Sequence, residues 1–405
     1  MSPSPPSSGL RGLSSRRSPR AARRVRDAVR AHLTDGLGRG TFPGAVAAVL
    51  WRGEWLALEA LGDAQVAPRR RRMTTDTVFD LASVTKPVAT ATAILQLWAR
   101  RAIDLDAPVT SYLPRFALGG KSGTTVRHLL THTSGLPAWE MLYLPGPPGA
   151  VRARWRACRS IEEAVARICA TPAAAQPGTT ITYSDLGFIV LGHLVERLSG
   201  ESLDDYVRRH IVRPLGLRWT RFAPPASWRA RCAATEQGNA FERARAAEQG
   251  LGRRFPWRTH LLRGEVHDGN AWYLGRGVAG HAGLFGTARD LARFVNMILR
   301  GGELNGARIM PAGIVAEARK NQTPGLGSEP RGLGWAVKGW PFLGARASAE
   351  TVGHTGFTGT SLLIDPRRHL AIILLTNRVH PGASNDAVRQ FRPAFHDAVI
   401  EALDG

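Results

Sequence analysis

Residues 81–90 read LASVTKPVAT, Leu81 to Thr90, and the Ser83/Lys86 pair inside them decides how the rest of the chain is read. Lysine is scarce here: of the 54 basic residues only four are lysine and the other 50 are arginine. Residues three apart share a helix face, so the hydroxyl of Ser83 and the amine of Lys86 can meet. A serine hydroxyl is a weak nucleophile until an adjacent base activates it. Lysine can serve when burial or a neighbouring cation tunes its pKa, whereas arginine, with a pKa above about 12, cannot give up its proton. A helix start also favours negative charge developing on Ser83. With about twenty serines in the chain, four lysines give about a one-in-five chance of this spacing by accident, so the pair needs support from elsewhere.

Outward from the pair, Asp80 to Arg101 carries Val88, Ala91, Ile94, Leu95 and Trp98 at helical spacing, with Pro87 in the first turn where its missing N–H costs little. Upstream, PGAVAAVLWRGEWLALEALGDAQ predicts two strands joined at an Arg52-Gly53 turn. Residues 102 to about 305 predict helices broken by Gly/Pro loops, with cap signals at Ser160/Glu163 and Thr287/Asp290. Strand patterns return at 332–339, 358–366 and 369–377, the last two joined at Pro366-Arg367-Arg368, and an amphipathic helix from Asn385 to Leu403 closes the chain. This order predicts an α+β fold in which both chain ends build an antiparallel sheet and a mainly helical part is inserted between them. The boundaries read as a disordered basic tail over 1–22 and one domain over 23–405. Its sheet part covers 23–80 and about 306–405, its helical part about 81–305.

Two further motifs follow in order. Tyr183-Ser184-Asp185 opens another strongly periodic helix, where a phenol can reach a cleft and move protons. A core tyrosine beside an Asp N-cap has the same look. His354-Thr355-Gly356 stands at a strand start, where glycine lets a ligand approach the strand edge and histidine can hold a proton near neutral pH. A Gly-rich hairpin entry has that look too.

Taken together, SxxK, TYSD and GHTG resemble the serine β-lactamase and penicillin-binding-protein superfamily, whose signature is SxxK, then YxN or a variant, then KTG or HTG. The resemblance is nearer to its class C-like branch of β-lactamases, D-alanyl-D-alanine carboxypeptidases, aminopeptidases and carboxylesterases. THTSGLP (131–137), GVAGHAGLFGTARDLARF (277–294) and GHTGFTGTSLLIDP (353–366) resemble that branch as well, and the likeness runs from about Phe42 to the C-terminus. It implies the β-lactamase/transpeptidase-like fold, a five-stranded antiparallel sheet flanked by helices with a helical domain. It implies Ser83 as the nucleophile that forms an acyl-enzyme, Lys86 and Tyr183 as proton handlers, and an oxyanion held by the backbone N–H groups of Ser83 and Phe357. Asp185, His354, Thr355, Gly356 and Phe357 are the implied substrate-binding residues.

The chain departs from the pattern twice. Asp185 replaces the usual asparagine, and an anion beside Lys86 favours the ammonium form. Tyr183, activated by a cationic Lys86, is then the expected working base. His354 replaces a lysine that attracts a substrate carboxylate in many relatives, which tilts the expected substrate from β-lactams and D-Ala-D-Ala peptides toward esters or amides. The arginine-rich surface could restore carboxylate recognition.

The expected function is an acyl-transferring serine hydrolase without cofactor or metal. The competing reading is a catalytically silent penicillin- or peptidoglycan-binding protein, against which the retention of both Ser83 and Lys86 argues. His267, Asp268 and His281 are candidates to line the cleft; His128 and His132 read as packing or turn residues. The histidines are not paired with carboxylates at ligand spacing, which gives metal binding no support.

At 405 residues, 43% hydrophobic and 21% charged, the chain can bury a large core. The net charge of +22 invites nucleic acid as partner, but past about residue 30 the arginines scatter over helix faces and loops, so nucleic acid is not expected. Cys158, Cys169 and Cys232 fit neither a disulfide framework nor a zinc spacing. No apolar run is long enough for a membrane span. MSPSPPSSGLRGLSSRRSPRAARRVR lacks the apolar core of a secretory signal. The expected location is cytoplasmic as the sequence stands, or exported if the start codon is misassigned.

Overall fold

The structure, a computed structural model, describes residues 19–146 and 155–405. Helix α1 (Pro19–Gly38) buries Val25, Val29 and Leu33, one apolar residue per turn, against the sheet. It begins inside the tail expected to be disordered: Pro19 to Ala22 are helical, and the remainder of that tail lies outside the described residues. The loop 141–156 is likewise described only at its ends.

β1 (Gly44–Trp51) and β2 (Glu54–Gln65) form the expected hairpin. Arg52 and Gly53, at φ 53° and 81°, both take left-handed backbone, the turn whose twist matches its flanking strands. β1 is apolar throughout because both its faces are covered. Val46, Ala48 and Leu50 pack under the inserted part, while Ala45, Ala47 and Val49 face the terminal helices. β3 (Arg71–Arg72) is a two-residue edge. The second half of the sheet comprises β4 (Ala336–Val337), β5 (Val352–Thr355), β6 (Ser361–Asp365) and β7 (Leu370–Thr376).

The sheet order is β4-β5-β6-β7-β1-β2-β3, every pair antiparallel. Five long strands make its body, as expected, and the two-residue strands β3 and β4 extend it to seven at the edges. The expected strand 332–339 shrinks to β4, so the sheet resumes at Ala336 rather than about 306. Residues 306–335 instead complete a small hairpin with Glu303–Leu304 and form the helix Ala312–Arg319. The inserted part is not purely helical: Phe79–Asp80, Leu284–Gly286 and Arg221–Phe222 make a three-stranded sheet within it.

The helix expected over 80–101 is built in three pieces. A 3₁₀ turn at Ala82–Val84 leads into a π-helical turn at Lys86–Ala91 and then α2 (Thr92–Ala99). Pro87 has no N–H for the carbonyl of Ser83, so the ordinary α register cannot start there. Wide π turns recur at functional sites. The cap at Ser160 is half of the expected box: its hydroxyl accepts from Glu163 N, but the Glu163 carboxylate accepts from Arg159 N instead of closing back on Ser160.

Behind the sheet, helix Val388–Asp404 buries His396, whose Nδ1 lies 2.7 Å from the Phe342 carbonyl. Burial holds this imidazole down at about 4 against an ordinary 6.5. The unfolded chain takes up the proton first as pH falls, so the stability this residue contributes is complete above about 6.5 and is lost on the way down to about 4. The loss amounts to roughly 3 kcal/mol. Thermal melts between pH 7 and 4 check this: His396→Gln should flatten the acid limb, and an unchanged limb contradicts the assignment.

Candidate active site

Ser83 sits where three segments are pinned together. Ala82 has left-handed backbone at φ 47°, and its N–H donates to Asp80 Oδ1 at 2.9 Å, while Asp80 Oδ2 accepts from His267 N at 2.7 Å. From the turn after β5, the hydroxyls of Thr358 and Thr360 donate to the carbonyls of Asp80 and Leu81 at 2.7 and 2.9 Å. That turn is thereby clamped against the chain entering Ser83, and the N–H groups of Ser83 and Phe357 have no acceptor among the described residues. The clamp requires glycine at 356, because a Cβ there would stand 2.1 Å from Thr360 Oγ1 and 2.5 Å from the Leu81 carbonyl. Gly356→Ala should displace the turn and lower acylation about a hundredfold, the scale of a 1 Å misplacement. Unchanged pre-steady-state acylation of the variant would overturn this.

Lys86 is fully buried, and three oxygens surround its ammonium: Ser83 Oγ at 3.0 Å, the His281 carbonyl at 3.0 Å and Asp185 Oδ1 at 2.6 Å. Burial, the largest influence, would push its pKa down, but the Asp185 carboxylate and Tyr183 outweigh it and leave it raised. The ammonium also lies 4.9 Å from the centre of the Tyr183 ring. The expected carboxylate beside Lys86 is present.

The N-cap of helix Asp185–Ser199, named α3, is Ser184, whose hydroxyl accepts from Gly187 N. Asp185 is therefore not the cap that the blander reading suggested, and its carboxylate is free to meet Lys86. Ser184 N donates to Nδ1 of His132, a buried residue at φ 58° whose ring lies 4.4 Å from that of Tyr183. His132, read from sequence as packing or turn, is the plate on which Tyr183 rests. His128 keeps its turn role, closing a capping box with Thr125.

A cleft of about 570 Å³ is lined by Ser83, Tyr183, Asp185, Thr355, Gly356 and Phe357 among others. His354 is not among its lining residues: it is buried under Tyr183, 6.1 Å ring to ring, with Nδ1 2.8 Å from the Thr355 carbonyl. Burial, with the charges of Lys86 and Arg331, holds its pKa well below the usual histidine range. The neutral state expected of it holds, but as a supporting residue rather than a substrate contact.

His267, Asp268 and His281 line the cleft as expected. The view that the histidines lack carboxylate partners is corrected: His267 Nε2 lies 3.0 Å from Glu236, and His281 Nε2 lies 2.9 Å from Asp268. Sequence spacing hid both pairs because the partners come from separate segments. Ligand atoms of Asp185, Asp268 and His281 fall within 4.8 Å of one another, yet Asp185 already holds a cation in Lys86. Glu242, which sequence reasoning missed, accepts from Tyr143 Oη at 2.6 Å; burial and the neighbouring Asp268 raise it to about 7. Arg331 was missed as well. It stands against Tyr183, one residue before the stretch 332–339 read as strand. Among the described residues no helix is long and apolar enough to cross a membrane.

A family model described as Beta-lactamase matches residues 28–394. A protein of Salmonella typhimurium named "Putative D-alanyl-D-alanine carboxypeptidase" is 36% identical over 331 residues, 78% of this chain and 73% of its own length. Among solved structures, "EstCE1, a hydrolase with promiscuous acyltransferase activity" superposes with a TM-score of 0.72 at 23% identity, covering 94% of this chain and 99% of its own. A penicillin-binding protein homolog from Caulobacter crescentus gives 0.70 at 23% identity, covering 94% and 98%. At such identities the superpositions speak for the fold.

Proposed function

The chain belongs to the beta-lactamase family and is a serine hydrolase, and from that premise we propose that Ser83 is acylated by a peptide or ester that carries a free carboxylate. The observation that carries the nucleophile assignment is the 3.0 Å contact between Ser83 Oγ, which lines the cleft, and the buried Lys86 ammonium behind it. An ammonium has three N–H bonds and no lone pair, and three oxygens already surround this one. Lys86 therefore orients Ser83 and balances charge, while Tyr183, acting as the phenolate beside that ammonium, takes the serine proton as Oγ attacks and returns it to the alcohol or amine that departs when the scissile C–O or C–N bond breaks. The unspent N–H groups of Ser83 and Phe357 then face the developing oxyanion. Water releases the acyl group by the reverse proton path.

The tilt away from carboxylate-bearing substrates rested on His354 alone. Arg245, Arg378, Arg389 and Arg392 line the same cleft beside Asp80, Asp185, Glu242, Asp268 and Asp386, so positive charge stands near a bound carboxylate without that residue. The Salmonella relative's name points the same way. Exposed Phe357 beside Phe241, ring centres 5.1 Å apart, favours an apolar group next to the scissile bond and keeps esters within range.

The test is turnover of a D-alanyl-D-alanine peptide, a short-chain p-nitrophenyl ester and a chromogenic cephalosporin by one preparation. The peptide and ester should turn over, and the cephalosporin should acylate with little release. Cephalosporin turnover above both others would overturn the reading, and labelling by a penicillin with no turnover of any substrate would favour a silent binding protein.

A further inference from the structure

Arg392 is a buried guanidinium near the start of helix Val388–Asp404, on the wall of the cleft. No carboxylate among the described residues pairs with it: Asp386, the acid that acts on its charge, is already held by Arg378 and Arg389. Burial, with the charges of Arg378 and Arg389, pulls its pKa down to about 9 from an ordinary 12.5. Its Nη2 donates to the carbonyls of Gly356 and Thr360, each at 3.1 Å, and its Nε has no partner. Neither carbonyl needs it. The Gly356 carbonyl already accepts from Gly359 N at 3.0 Å, and the Thr360 carbonyl from Gly356 N at 2.7 Å. A buried charge that is neither neutralised nor required to satisfy a neighbour costs stability, so its use must lie in the reaction.

We propose that Arg392 is a positioning residue that strengthens the oxyanion site through the Gly356–Phe357 peptide, which rests on the function proposed above. The Gly356 carbonyl that accepts from the guanidinium and the Phe357 N–H that faces the oxyanion belong to one planar, resonance-coupled unit. A cation at the oxygen end draws electron density along that unit and makes its nitrogen end a stronger donor. Hydrogen bonds in series polarise one another in this way, most where water is excluded. As Oγ adds to the substrate, negative charge forms beyond the Phe357 N–H, and the guanidinium acquires through the peptide the counter-charge that it lacks in the free enzyme. Arg378 does a different task. Its Nε donates at 2.7 Å to the Phe357 carbonyl, which belongs to the next peptide, and Asp386 balances its charge.

The experiment compares wild type, Arg392→Met, Arg392→Gln and Arg392→Lys in three readouts: rapid-mixing acylation by p-nitrophenyl acetate, the infrared carbonyl stretch of the acetyl-enzyme formed from the carbonyl-labelled ester, and thermal melts. In wild type the labelled band should lie below that of an acetyl ester in water. Arg392→Met and Arg392→Gln should acylate about tenfold more slowly, a fraction of the hundred- to thousandfold that loss of a whole oxyanion donor costs. Their band should stay single and move to higher frequency. Arg392→Lys, which keeps the charge, should retain most of the rate and the low band. Arg392→Met should melt at or above the wild-type temperature, because it removes an unpaired buried charge and orphans no carbonyl. Wild-type rates and bands in Arg392→Met and Arg392→Gln overturn the proposal. So does an equal loss in all three variants with lowered melting temperatures, which would make Arg392 a brace for the turn. Wild type with no acetyl-enzyme band, or with a band at the aqueous position, would refute the acyl-enzyme or the Phe357 donor itself, an outcome visible before any variant is made.

Discussion

Ser83→Ala should lower turnover by about four to six orders of magnitude and abolish fluorophosphonate labelling, with little change in melting temperature. The magnitude follows from what the hydroxyl does: without it no acyl-enzyme forms, and only binding and the oxyanion donors remain. The stability expectation follows from the contacts. Ser83 Oγ accepts one hydrogen bond, from Lys86, whose ammonium keeps Asp185 and the His281 carbonyl after the change. The clamp from Thr358 and Thr360 reaches the carbonyls of Asp80 and Leu81, not the serine side chain. Labelling that persists in Ser83→Ala would remove the nucleophile assignment and everything built on it.

Asp185→Asn should cost both activity and stability, because it leaves a fully buried ammonium without its anion. Removing one partner of a buried pair typically costs about 3–5 kcal/mol. The pH dependence distinguishes this from a generic lesion. In the wild type the Lys86 pKa is raised above the ordinary lysine value of 10.5. Its contribution is then complete below that value and lost only as pH rises through the higher, folded one. With Asp185 gone, burial dominates and the folded pKa should fall below the unfolded one. Ionisation then works against folding, so the deficit should be largest at neutral pH and shrink as the pH rises toward 10.5. Melts from pH 7 to 11 check both: a constant offset between the two proteins would mean that Asp185 stabilises by packing rather than by charge.

How far the sequence reveals this site depends on how locally each residue acts. Ser83 and Lys86 meet across one turn, so spacing alone exposes them. Tyr183 and the Thr355–Phe357 turn are found only by resemblance, since a tyrosine at a helix start or a glycine at a strand start has commoner explanations. Asp80 and Glu242 escape because their partners arrive from segments far along the chain; Asp268 and His281 are legible as cleft residues, but their pairing across 13 positions follows no helix or strand period. Arg331 escapes for another reason: in a chain with 50 arginines, one more carries no signal until its place against Tyr183 is seen. The strands followed the same rule. β1, β2 and β7 are long and apolar and stand out, whereas β3 and β4, two residues each, exist only because a neighbouring strand offers them an edge.

The pairing of β1 with β7 governs how the chain can be made. Trp51 lies opposite Leu370, more than 300 residues later, so one edge of β1 has no partner until nearly the whole protein has been synthesised. At about 5–20 residues per second that wait is on the order of tens of seconds to a minute. Throughout it, GAVAAVLW presents an uncharged, aggregation-prone edge. Acquisition of activity by the nascent protein is therefore tied to release of its last strand, and a chain truncated before Leu370 should accumulate as insoluble material rather than as a weakened enzyme.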